Sequence, residues 1–172
     1  TLGGRYKFIH STFSNYWSNS FRSFPSVQVT NALAINDQEI LVADLEQAEF
    51  VNCIIYGTEQ REIGLYKEDL GAFNVLFDHC LIKFQDPLNT YADEPLYDFA
   101  NPTLYRNLVL NEDPVFENIN LNDFDISLEE SAAVGRGSSA GAVAVPVDLN
   151  GSLRPASNAD LGAYQAISFP EN

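Results

Sequence analysis

The chain of 172 residues has no methionine, only two histidines and two cysteines, and sets nine Lys and Arg against 24 Asp and Glu. Each shortage excludes something. Sparse cations and a net charge of −15 argue against nucleic acid, whose phosphates need clustered Lys and Arg. The same field repels polyanionic sugars unless a divalent cation reverses it locally. Two cysteines cannot build a disulfide framework, and Cys53 and Cys80 lack a metal-ligand pattern around them. With no run of eighteen apolar residues, no membrane span is expected. The opening Thr1-Leu2-Gly3-Gly4 lacks the basic and apolar regions of a signal peptide. Without an initiating Met, the chain reads as a piece of a longer or processed protein. The remainder is globular in composition, 45% hydrophobic and 12% aromatic, which suits one domain with a core.

A phrase recurs three times: Phe8-Ile9-His10-Ser11-Thr12-Phe13, Phe50-Val51-Asn52-Cys53-Ile54-Ile55 and Phe77-Asp78-His79-Cys80-Leu81-Ile82. Each runs aromatic, any residue, Asn or His, small residue, any residue, large apolar. Strand alternation points Phe8, Phe50 and Phe77 inward and the following residue outward. Asn and His tolerate positive φ, so His10, Asn52 and His79 suit a one-residue corner. Beyond it, Ser11, Cys53 and Cys80 face inward again. Layers stacked about 4.8 Å apart then place like residues over like. Such spacing would permit a Cys53–Cys80 disulfide, but parallel stacking seldom offers its torsion, which favours reduced thiols.

Strand patterns also cover 26–30 and 62–66, and 40–42 reads as a strand against a helical alternative over 37–49. From Gln85 the character changes. Eleven acidic residues and one Arg, punctuated by Pro87, Pro95, Pro102 and Pro114, occupy 85–130, which predicts a loop-rich acidic excursion.

The last third carries an ordered set of motifs: Asp113-Pro114-Val115-Phe116, Asp125-Ile126-Ser127-Leu128, Ser131 to Gly137, Asp148 to Pro155, and Asp160-Leu161-Gly162-Ala163-Tyr164-Gln165. This order resembles the C-terminal segment of bacterial right-handed parallel β-helix proteins of the pectate-lyase-like superfamily. Ala133 and its neighbours replace the usual Pro of the third motif. The resemblance implies an all-β fold, a right-handed parallel β-helix (solenoid) fragment with a loop-rich C-terminal cap. Coils would span 1–84, the excursion 85–130 and the cap 131–172, in one structural domain. Arg154 and Asp160 are the natural ion pair to fix the cap.

Candidate chemistry is thin. His10 and His79 can be read as a catalytic or metal pair, but their shared place in the phrase favours corners. Lys83 and Arg106, with Arg61 and Lys67, are the cations a lyase could use to neutralise a uronate. Lys83 reads equally as a charge ending a strand. Tyr16 and Trp17, clustered with Phe21 and Phe24, could stack on sugar rings or form core or a seam. Asp93, Glu94 and Asp98 could hold a metal but fit a solvated face. Asn118, Asn120, Asn122, Asp123 and Asp125 resemble a row of calcium ligands and fit Asx turns as well.

The leading expectation is a non-catalytic terminal β-helix module of a secreted or surface-anchored bacterial protein, extracellular, periplasmic or on the outer membrane. It would present a glycan-binding or scaffold surface, with no cofactor required and calcium as the one candidate. The alternatives are a fragment of a polysaccharide lyase and an adhesin-like surface protein. Expected partners are polysaccharide, further N-terminal coils, and a second copy at an exposed solenoid edge.

Overall fold

The computed structural model describes residues 2–170. Along the chain, β1 (Gly4–Ile9) and β2 (Thr12–Asn15) flank a corner, and a loop leads to β3 (Val27–Thr30). A hairpin follows, β4 (Ala32–Asn36) and β5 (Glu39–Val42). The next turn of chain repeats the first with β6 (Leu45–Val51), β7 (Ile54–Gly57) and β8 (Ile63–Tyr66). Then come β9 (Phe73–Asp78) and β10 (Leu81–Ile82), a loop over 83–104, and the short β11 (Tyr105–Arg106) and β12 (Val109–Leu110). A second hairpin, β13 (Phe116–Asn118) and β14 (Asp123–Ile126), precedes a mostly irregular tail with one short helix, α1 (Ser139–Ala144).

The three phrases are laid in parallel register, Phe8 beside Phe50 and Phe50 beside Phe77. Their rings stack at 5.0 and 4.7 Å, and Tyr105 extends the ladder at 5.7 Å from Phe77. The corners lie in the left-handed region as expected, His10 at φ 49°, Asn52 at 54° and His79 at 51°. Tyr105-Arg106-Asn107-Leu108-Val109-Leu110 is a fourth layer, with Asn107 at φ 51°. It lies within the acidic segment and keeps the phrase except that Leu108 replaces the small residue. Cys53 and Cys80 are fully buried free thiols, and burial, together with the neighbouring Cys53, raises the Cys80 thiol well above its ordinary value.

The expected right-handed parallel β-helix is corrected by the sheet arrangement. The strands fall into five small sheets, β1-β6-β9-β11, β12-β10-β7-β2 and β3-β8, all parallel, with antiparallel β4-β5 and β13-β14. Among the described residues no closed or solenoid sheet joins them. The departures have local causes. The third parallel sheet stops at two strands because after β10 the chain enters the proline-punctuated loop, with only an antiparallel bridge from Phe84 to Arg61, and adds no strand beside β8. The last layer is reduced to strands of two residues.

The tail packs along the outer face of the second sheet. Ile54, Leu81 and Val109, the outward residues of β7, β10 and β12, bury against Ile126, Ala133 and Leu161. Asn52 is its anchor. The side chain exchanges hydrogen bonds with the Ser138 backbone (3.1 and 2.8 Å), and the main-chain carbonyl of Asn52 accepts from Gly162 N (2.8 Å). Gly162 has φ +84°, and a Cβ there would lie 2.7 Å from both Ile54 Cδ1 and Thr12 Oγ1, so only glycine permits this approach. The expected Arg154–Asp160 ion pair does not form: among the described residues Arg154 is joined to no carboxylate. Its Nη2 donates to the carbonyls of Gly162 (3.1 Å) and Ala163 (2.9 Å). Asp160 accepts instead from Gly135 N, Gln165 Nε2 and Ala166 N. The reason is economy of donors, since the tail's backbone N–H groups reach both carboxylates of the region, Asp148 and Asp160, directly.

His10 sits inside this clamp, and its Nε2 accepts from Asn52 Nδ2 at 2.8 Å. Burial, and secondarily the Arg154 charge, lower its pKa to about 4. The folded protein therefore holds the neutral ring while the unfolded chain protonates near pH 6.5. Stability from this group is complete above pH 6.5 and falls as pH drops toward 4, by about 3 kcal/mol over the full window. Urea unfolding at pH 7 and pH 5 should show this slope, and His10→Asn should flatten most of it.

Candidate functional site

The outer face of the short third sheet carries two concavities. In β3 and β8 the alternation sends Val27, Val29, Ile63 and Leu65 into the core. Gln28 and Thr30 stand outward beside Gly64 and Tyr66. Gly64 is buried under the 16–25 loop: a Cβ there would lie 3.0 Å from Pro25 Cγ and 3.5 Å from the Tyr66 ring. Tyr66 itself is 57% exposed. On one side of it runs a groove of about 680 Å³, walled by the β4–β5 hairpin through Ala34 and Ile40, with Gln28, Lys67, Glu68 and Glu94. On the other lies a pocket of about 190 Å³ formed by Phe24, Arg61, Tyr91 and Tyr97. Tyr66 lines both.

The walls are fixed by specific contacts. Leu65 N, on the edge of β8, donates to the hydroxyl of Tyr97 at 2.9 Å, so a side chain takes the place of a third strand. Tyr97 stacks on Phe84 at 4.7 Å and meets Tyr91 edge-on at 5.0 Å. Arg61 lies 4.9 Å from the Tyr91 ring centre, a cation–π distance, with no carboxylate partner among the described residues. Lys67 pairs with Asp69 at 2.7 Å. Burial pushes the Tyr97 hydroxyl above its ordinary value.

The 16–25 loop closing the pocket hangs on Glu62. This carboxylate is completely buried and accepts from both Nη atoms of Arg22 (2.9 and 2.6 Å), from Ser26 N and Oγ, and from Glu59 N. Burial alone would raise its pKa, but the hydrogen bonds from Arg22 and Ser26 outweigh that and hold it below the usual carboxylate range.

No family model, curated protein or solved structure matches the chain. The residues singled out in the sequence are mostly elsewhere. Lys83 Nζ donates to Gly57 O at 2.7 Å beside the Tyr56 ring, and Arg106 Nε donates to Pro102 O at 2.9 Å. They follow or end strands of different sheets. Tyr16 packs on Phe116 and Phe124 at 6.1 and 6.4 Å, while Trp17 stays exposed with its Nε1 on Ser20. His79 lies on the corner ladder with Nδ1 2.7 Å from Asp78. Of Asp93, Glu94 and Asp98, Glu94 alone lines the groove.

The acidic residues brought within 4.8 Å of one another are Glu117, Asp123 and Asp125, on the β13–β14 hairpin. Burial and the nearby Asp123 raise the Asp125 carboxyl. Asn118 Oδ1 accepts from Asn120 N and Leu121 N, and Asn122 sits at φ 56°, the turn chemistry that also accounts for this Asn-rich run. Tyr66, Gln28 and Thr30 escaped notice in the sequence. Their signal was parity, since the alternation that buries Ile63 and Leu65 must expose Tyr66.

Glu62→Gln should cost about 3 kcal/mol, because it leaves the nearly buried Arg22 guanidinium without a counter-charge. Urea unfolding would report the loss, and limited proteolysis should show earlier cleavage within 16–25.

Proposed function

We propose that the chain is a non-catalytic carbohydrate-binding module of a secreted or cell-surface protein, with an extended, uncharged sugar chain lying across Tyr66. The observation that carries this reading is the exposed Tyr66 ring between two concavities with pre-positioned walls. Sugar rings present apolar C–H faces that suit an aromatic platform, and their hydroxyls need donors and acceptors at its edges. Gln28, Thr30, Lys67, Glu68 and Glu94 supply those on the groove side, and Arg61 and Tyr91 on the pocket side. An open groove along a strand fits a polymer better than a small metabolite, which favours enclosure.

The net charge of −15 selects against polyanions and so for a neutral chain. Binding rather than elimination is favoured by the state of the cations. Lys83 and Arg106, which would neutralise a uronate in a lyase, each donate to a backbone carbonyl and sit on separate sheets. Calcium at Glu117, Asp123 and Asp125 would, in this reading, tie the β13–β14 hairpin and take no part in sugar contact.

The test is affinity electrophoresis and calorimetry against a panel of neutral polysaccharides. At least one should retard the protein, and Tyr66→Ala should weaken that binding about tenfold or more, roughly 1.4 kcal/mol. The circular dichroism spectrum should stay unchanged. Retardation by no polysaccharide, or equal binding by Tyr66→Ala, would remove the proposal.

A further inference from the structure

The two concavities beside Tyr66 differ in shape, and the difference bears on how a sugar chain can lie there. The groove is lined by Tyr66, Lys67 and Glu68, so it extends past the C-terminal end of β8. The pocket is lined by Ile63 and Gly64 and by the residues just before β8, Glu59, Gln60 and Arg61. It lies at the opposite end of the strand. A ligand that follows β8 from the groove across Tyr66 therefore arrives at the 59–61 turn.

That turn is held firmly. Glu59 N donates to the buried Glu62 carboxylate at 2.9 Å, Gln85 N donates to Gln60 O at 2.7 Å, and the Arg61 backbone is bridged to Phe84. The 16–25 loop, itself fixed by Glu62, adds Phe24 as a second wall, and Tyr91 and Tyr97 form a third. The space between them, about 190 Å³, is that of about six waters at about 30 Å³ each. One six-membered sugar ring fits such a space, and two do not.

The chemistry of the turn suits a ring at the end of a chain. Glu59 and Arg61 both line the pocket, and among the described residues neither side chain is joined in an ion pair. A carboxylate accepts from two hydroxyls, and a guanidinium donates to two acceptors side by side. Together they match adjacent free hydroxyls on one ring. A residue inside a chain has two linkages and so fewer free hydroxyls, while a terminal residue has one linkage and keeps more.

We propose that the pocket receives the end of the sugar chain. The terminal residue lodges between Phe24, Tyr91 and Tyr97 with its hydroxyls on Glu59 and Arg61, the next residue lies on Tyr66, and the remainder follows the groove. The inference rests on the reading of Tyr66 as a sugar platform and makes the ligand a neutral chain recognised at its terminus.

Calorimetry with laminari-, xylo-, manno- and maltohexaose, each beside its soluble parent polymer at equal mass, tests this. The hexaose of a polymer that binds should match that polymer's affinity per chain end within about threefold. Its capacity per unit mass should exceed the polymer's in proportion to the number of ends. Glu59→Gln and Arg61→Gln should each weaken hexaose binding about fivefold or more, with circular dichroism unchanged. Borohydride reduction opens the reducing-end ring, so lost binding assigns the pocket to that end and retained binding to the other. Capacity that follows mass instead of ends would overturn end recognition and leave the platform standing. So would unchanged binding in both variants while Tyr66→Ala still weakens it. If no probe binds, the platform and the end site fall together.

Discussion

A positive-φ residue at the same point of four successive layers turns the chain from the first sheet into the second, and the rest of the structure depends on that alignment. His10, Asn52, His79 and Asn107 all sit near φ 50°. Because the corners coincide, the strands on both sides fall into register, and Phe8, Phe50, Phe77 and Tyr105 stack without a slip. A one-residue error at any corner would turn inward side chains outward for the following strand. The aromatic ladder is therefore as much a consequence of the corner residues as a source of stability in itself.

Asparagine side chains do further work where the strand ladder ends. Asn111 donates to Phe84 O and accepts from Phe84 N, which copies the pairing of a neighbouring strand. Asn31, fully buried, accepts from Glu68 N and donates to three carbonyls nearby. Asn52 joins the stack to the tail through Ser138. In each case one amide supplies both a donor and an acceptor, the pair that a peptide unit would have offered. A chain whose sheets are only two to four strands wide has many such ends to satisfy.

The stacked phrases were legible because each carries its own meaning: inward aromatic, bend, inward small residue. The strands at 26–30 and 62–66 followed from alternation alone. The fourth layer was not recognised, because Leu108 breaks the small-residue position and the surrounding acids and prolines suggest loop. Nor could the hairpins that divide the sheets be separated from the stack by alternation, which is the same in parallel and antiparallel strands. The Arg154–Asp160 pairing failed for another reason. Sequence shows that opposite charges exist but not which backbone donors will reach the carboxylate first.

The concavity around Tyr66 has its origin in an asymmetry of the stack. Two of the parallel sheets extend to four strands, but the third stops at β8. Its next place is taken by the loop that carries Tyr91, Leu96 and Tyr97. A third strand would have continued the flat outer surface; a loop cannot. It bonds the edge through the Tyr97 hydroxyl and stands its aromatic rings upright beside it. The β4–β5 hairpin, inserted after β3, raises the other wall. The cleft is thus what the fold leaves when a parallel layer is replaced by side chains. Its floor is strand, while its walls come from segments where sequence can change without breaking the stack. That division is what a binding surface requires: a platform that does not move and edges free to be chosen.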